Sequence, residues 1–226
     1  MQTVFIPLSN KCFFSCLNCK KPHPLSLKSI KKIIETHKQK TLNIISHTTL
    51  KTDILKKTLD IIKTHKQKSA IVCHGKHKEI LELNPDYFIF PLFSTDRNIH
   101  DEFCGKQSFD EIISTFNNLP KTKNKIIVFF PTKETFGECG DLDSLSYALQ
   151  TKIWIIPLPF FESNEYSKED IKYLKYLNKY PNLHVTPILR HLKNTTKQCF
   201  LSFTEINTYG LIEYINTYLF FKKLFK

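Results

Sequence analysis

Short apolar runs recur along the chain and alternate with longer stretches in which apolar residues return every third or fourth position. "TVFIPL", "LNIIS", "AIVC", "YFIFPL", "KIIVFF" and "IWIIPL" carry no charge in their interiors. Each predicts a strand buried on both faces, as a parallel sheet covered by helices requires. Helical periodicity fills the intervals, roughly Leu27 to His37, Ile54 to His65, His77 to Leu83, Phe109 to Leu119, Leu142 to Leu149 and Lys168 to Leu177. Right-handed crossovers between parallel strands curl such units in one direction. The expected fold is therefore α/β: a partial (β/α)6 barrel of the TIM type over residues 1–190, undivided by any linker rich in Gly, Ser or Pro.

Beyond the sixth helix the alternation fails. "LHVTPIL" reads as a further strand, and "CFLSFTEINTYGLIEYI" as a hairpin turning around Asn207 to Gly210, where Asn and Gly supply the turn geometry. Residues 191–226 are expected to form a short C-terminal extension, hairpin and basic tail, packed on the barrel. Within the barrel, "THKQK" occurs twice, at Thr36 to Lys40 and Thr64 to Lys68. Each copy ends an amphipathic helix in a basic turn, where cations favour the helix C-terminus, and each is followed by an apolar run. His37 and His65 accordingly read as helix C-caps.

Composition narrows the function classes. No run approaches the ~18 apolar residues of a membrane span, and the N-terminus passes directly into "TVFIPL"; the chain reads as cytoplasmic, with no membrane span. Its seven cysteines are an odd number, which argues against a disulfide framework. The formal net charge of +12 invites a nucleic-acid reading. Yet Arg97 and Arg190 are the only arginines, and lysine lacks the bidentate fork used to read bases, so no specific nucleic-acid partner is expected.

Three of the cysteines fall within "SNKCFFSCLNCKKP", in the loop after the first strand. Three readings of Cys12, Cys16 and Cys19 are open on spacing alone. They are core residues on one helical face, since cysteine packs as a small hydrophobe. They form, with His23, a structural Cys3His zinc site. Or three thiolates hold an iron–sulfur cluster that leaves one iron open. In a parallel barrel the loops after the strands share one end, where sites are built. "SHTT", "CHG", "FSTD" and "PTKE" follow strands two to five and face the same cavity as the cysteines.

The C-x3-C-x2-C spacing at this place resembles the hallmark of the radical S-adenosylmethionine (SAM) enzymes. "IHDEFCGKQSFDEIISTFNNL", Ile99 to Leu119, is similar to the segment after strand four in the members that modify peptides and proteins. The resemblance covers roughly residues 3 to 190. It implies a [4Fe–4S] cluster on Cys12, Cys16 and Cys19, with SAM chelating the open iron. It further implies reductive cleavage of SAM to a 5′-deoxyadenosyl radical, which takes hydrogen from a substrate, here expected to be a peptide or protein. An electron donor such as a flavodoxin or ferredoxin is implied as partner. The rival readings are a small-molecule or nucleoside substrate, and a non-catalytic iron–sulfur or SAM-binding protein.

Against the family pattern, Asn18 stands where an aromatic residue usually precedes the third cysteine. "SHTT", Ser46, His47, Thr48 and Thr49, replaces the Gly-Gly-Glu turn whose carboxylate holds the methionyl amino group; these hydroxyls or His47 become the acceptors. After strand three only Gly75 of "CHGK" fits the usual turn, beside His74. After strand four the usual serine is Leu92, with Ser94 and Thr95 nearby. The resemblance thus implies cofactor contacts from Asn18, Ser46, His47, Thr48, Thr49, His74, Gly75 and Ser94, and assigns no catalytic residue. Cys199 echoes an auxiliary-cluster extension, but one thiolate cannot hold a cluster; a single cluster is expected, with Cys73, Cys104 and Cys139 as buried hydrophobes. His100 and Asp101 are expected to brace a loop.

Overall fold

A computed structural model describes residues 2–8, 25–37, 41–46, 52–73, 78–105, 107–131, 135–155, 172–173, 176–177 and 179–185. The apolar runs form β1 (Gln2–Pro7), β2 (Thr41–Ser46), β3 (Lys68–Val72), β4 (Tyr87–Leu92), β5 (Lys125–Phe129), β6 (Ile153–Ile155) and β7 (Leu183–Val185). They make one sheet in sequence order, β1 to β7. Every neighbouring pair is parallel. All six expected strands are present, and "LHV" adds a seventh. Among the described residues no pairing joins β7 back to β1, so the barrel is partial.

Register and period-2 alternation separate two faces of this sheet. Ile6, Ile45, Ile71, Phe90, Phe129 and Ile155 belong to one buried cluster with Ile30, Ile34, Leu55, Ile62, Ile112 and Phe116 of the helices. The intervening positions Ile44, Ala70, Val72, Ile89 and Val128 are buried too. Ile44 pairs with Ala70 and Val72 with Ile89, so they line the opposite, inner face. Both faces are apolar because both are covered, which is why the strands read as continuous runs.

The helices are α1 (Leu27–Thr36), α2 (Thr52–Thr64), α3 (Arg97–Cys104), α4 (Ser108–Asn118) and α5 (Leu142–Ala148). The helix expected near His77 to Leu83 is instead a 3-10 segment, Lys78–Glu82; a connector this short, stopped by Asn84 and Pro85, has room for only one tight turn. Of the expected sixth helix, residues 172–173 and 176–177 are helical. α3 was not anticipated, although Asp96 caps it by accepting from the Asn98 and Ile99 N–H groups at 2.8 and 3.1 Å and Gly105 (φ 100°) ends it. The hairpin and tail of residues 191–226, and the domain boundary at 190, lie outside the described residues.

The "THKQK" repeat proves to be joinery. His37 and His65 each donate a ring N–H to the carbonyl four residues back, Ile33 and Ile61, a side-chain bond that closes the last turn of each helix. Lys66 takes a left-handed conformation (φ 54°), and the Gln67 N–H reaches the Ile62 carbonyl at 3.2 Å, closing a Schellman turn. Gln67, nearly buried, then donates to Ile34 and His37 carbonyls at 2.8 and 3.0 Å. It accepts from Asn43 of β2 at 2.8 Å. The second copy of the repeat therefore ties down the end of the first helix and fixes both strands' starts at the N-terminal end of the sheet.

Candidate functional site

Because every strand points the same way, the segments after them all leave from one edge. β1 and β2 end in register, Pro7 opposite Ser46. The cysteine loop between β1 and α1 therefore departs beside "SHTT". β3 and β4 are likewise aligned through Val72 and Ile89, β4 and β5 through Leu92 and Phe129, and β5 and β6 through Phe129 and Ile155. This places the starts of the candidate loops along one rim. Cys12, Cys16, Cys19, Asn18, His23, His47, Thr48, Thr49, His74, Gly75 and Cys199 lie outside the described residues; Ser46 is described in its backbone only, as the last residue of β2.

The described part of the rim is the loop after β4. Ser94 stands there as expected, fully buried, with its hydroxyl engaged. It donates to Glu138 Oε2 at 2.6 Å and accepts from the Asp96 N–H at 2.8 Å. Glu138 Oε2 also accepts from the Thr95 N–H and hydroxyl at 2.7 and 3.1 Å. Glu138 belongs to a 3-10 segment after β5, Phe136–Gly140, so one carboxylate oxygen stitches the β4 loop to the β5 loop. Sequence reading missed this residue. Its partners are more than forty positions away, and the only local signal is an acid within "PTKETFGECG".

His100 and Asp101 of α3 brace the same loop. His100 is fully buried; its Nδ1 accepts from the Phe93 N–H at 3.2 Å. That fixes the tautomer: Nε2 carries the proton and donates to Ser108 Oγ at 2.9 Å. Burial draws the imidazole pKa down to about 4 against the opposing charge of Asp101, so the ring is neutral near pH 7. Asp101 accepts from the Gln107 and Phe109 N–H groups at 2.7 and 2.8 Å. It thereby supplies the cap that α4 lacks, since Gln107 at the N-cap position (φ 64°) makes no side-chain cap bond. Both polar functions of each residue are used in holding structure, and none is aimed at proton transfer.

The scattered thiols behave as small hydrophobes where they are described. Cys73 and Cys104 are buried and form no disulfide, and burial pushes the Cys73 thiol pKa strongly up, which keeps it protonated and unreactive. Among the described residues no group of three or more His, Cys, Asp or Glu is placed to hold a metal ion. A groove of about 600 Å³ lined by Lys63, Gln67, Lys68, Glu82 and Asp86 opens where β3 and β4 begin, at the opposite end of the sheet. Among the described residues no helix is long and apolar enough to cross a membrane.

No family model and no curated protein matches the chain. Solved structures do. Streptococcus suis SuiB bound to S-adenosylmethionine superposes with a TM-score of 0.62 at 17% identity, over 88% of this chain and 48% of that one. SuiB bound to the precursor peptide SuiA gives 0.63 at 16% identity, over 84% and 49%. TYW1 with a lysine-pyruvate adduct bound gives 0.51 at 16% identity, over 78% and 70%. The chain spans about half the length of the SuiB chains it matches. It has the partial α/β barrel fold of SuiB and TYW1, the fold that the radical SAM resemblance leads one to expect.

Proposed function

We propose that the chain is a radical SAM enzyme whose substrate is a peptide or protein. The observation that carries this reading is the position of the C-x3-C-x2-C loop, which leaves β1 at the rim of an incomplete parallel barrel, in a fold that SuiB shares in its SAM-bound form. Cys12, Cys16 and Cys19 would hold a [4Fe–4S] cluster, a task suited to three thiolates. When bound, the cluster and SAM together supply a 5′-deoxyadenosyl radical able to take hydrogen from an unactivated carbon. Ser46, His47, Thr48 and Thr49 would accept hydrogen bonds from the methionyl ammonium; Asn18, His74, Gly75 and Ser94 would border the nucleoside. The apolar inner face, with Ile44, Val72, Ile89 and Val128 buried, keeps water and stray hydrogen donors from the reacting centre. A peptide substrate is supported by the likeness to SuiB in complex with its precursor peptide and by the resemblance of Ile99 to Leu119, which forms α3 and α4, to peptide-modifying members. A cytoplasmic setting suits free thiols and an oxygen-sensitive cluster.

A second reading, a non-catalytic SAM-binding protein, is favoured by one specific observation: the rim lacks an acid at "SHTT", and the Ser94 hydroxyl is already given to Glu138. A charged acceptor binds an ammonium roughly twice as strongly as a neutral one, so SAM capture should lean on the cluster iron. Equilibrium binding of SAM will weaken by at least about tenfold, ~1.4 kcal/mol, when the cluster is removed. Thr48→Glu will hold or raise the affinity of the loaded protein. Failure of the loaded wild type to bind SAM, or equal affinity with and without the cluster, would contradict the proposed function.

A further inference from the structure

The lysines run the length of the chain, but the net charge does not. Residues 11–80 hold sixteen lysines and four acidic residues, whereas the rest of the chain has seventeen basic and seventeen acidic residues. The whole formal excess of +12 therefore belongs to the stretch from the cysteine loop through α1, α2 and β3 to the start of the 3-10 segment that follows. These helices pack side by side, and Lys28, Lys31, Lys32, Lys56 and Lys57 are exposed on them. Lys28, Lys31, Lys56 and Lys57 lie in the first half of their helices, and Lys32 just past the middle of α1. In a parallel β/α unit that half is nearest the rim from which the cysteine loop departs. Local compensation is slight, since of these five only Lys31 has an acid in its own helix within ion-pair reach, Glu35 at 3.8 Å.

Resting on the proposed function, we propose that this α1–α2 face docks an acidic protein, the one-electron carrier that a cluster on Cys12, Cys16 and Cys19 requires. The carrier loses one electron and the cluster gains it; no atom is transferred. A protein fits better than a nucleic acid. The charges are ammonium points without a single arginine between residues 11 and 80, and the large exposed hydrophobics among the described residues, Tyr147 and Tyr176, lie on other elements, so no aromatic platform for stacked bases accompanies the lysines. Opposed charge patches mainly speed encounter, by roughly 10- to 1,000-fold at low ionic strength.

The test uses the cluster-loaded protein, a purified acidic flavodoxin and a variant carrying Lys31→Glu, Lys32→Glu, Lys56→Glu and Lys57→Glu. Flavodoxin binding to wild type should weaken steeply between roughly 0.01 M and 1 M salt, as the screening length falls from ~30 Å to ~3 Å. The variant should bind at least about tenfold more weakly at low salt, and flavodoxin should reduce its cluster correspondingly more slowly. Reduction by dithionite, which needs no docking, should be unchanged. Equal flavodoxin binding by wild type and variant would overturn the proposal. So would tighter binding of a short mixed-sequence RNA than of flavodoxin, lost in the same variant. A wild type that holds no cluster would sink the proposed function, while the binding comparison would still decide the docking face.

Discussion

Replacing any one of Cys12, Cys16 and Cys19 by Ala will yield a colourless protein after anaerobic reconstitution, whereas wild type will be brown and hold about four irons per chain, the content of one [4Fe–4S] cluster. The expectation is all-or-none because neither thiol described elsewhere in the chain can take the place of a lost one. Cys73 and Cys104 are buried in the helix-packed core and cannot turn to the rim without opening it. Cys199→Ala will keep the colour and the iron, since a lone thiolate cannot hold a second cluster, and so will His23→Ala. Iron near eight per chain in wild type would contradict the single-cluster expectation. Loss of metal in His23→Ala, with zinc bound in place of iron, would return the loop to the four-ligand reading.

His100 sets the second large effect, on stability and its pH dependence. The ring joins the Phe93 N–H at the end of β4 to Ser108 at the start of α4, and packs edge-on against Phe109 with centroids 5.6 Å apart. His100→Leu leaves a buried N–H and a buried hydroxyl without their partner. Each such group costs about 1–3 kcal/mol, so a loss of about 3 kcal/mol is expected. For a chain of this size that lowers Tm by roughly 10 °C. The wild-type contribution varies with pH. Above about pH 6.5 the imidazole is neutral in folded and unfolded chains alike. Between there and about 4, the folded-state value, the unfolded chain takes up a proton that the folded one refuses. Stability therefore falls as the pH falls, by about 1.4 kcal/mol per unit and about 3 kcal/mol over the window. Leucine cannot titrate, so the gap in Tm between wild type and His100→Leu should be widest near pH 7.5 and narrow towards pH 4.5. Parallel Tm–pH curves would show that His100 does not carry this acid sensitivity.

The strands were legible because a parallel strand covered on both faces leaves an unbroken apolar run, and six such runs between amphipathic stretches admit few arrangements. β7, expected within "LHVTPIL", spans only three residues, Leu183–Val185. What escaped was short or long-range. α3 is eight residues long, and its signals, the Asp96 cap and Gly105, were hidden in what read as a loop. In the site, where the cysteines lie outside the described residues, the bracing role of His100 and Asp101 was legible by pattern. Glu138 was not, since its bonds to Ser94 and Thr95 join two loops brought together by the β4–β5 pairing alone. Gln67 teaches the same lesson at the other end of the sheet: its repeat was visible in the sequence, but its reach to Ile34 and His37 across two helices appears only once the units stack.

The most direct measurement is product analysis of the anaerobically reconstituted protein given SAM and dithionite. 5′-Deoxyadenosine and methionine should form in about equal amounts, and neither should form with the Cys16→Ala variant. If wild-type protein holding about four irons and binding SAM forms no 5′-deoxyadenosine, the chain is a scaffold and the radical reading is wrong.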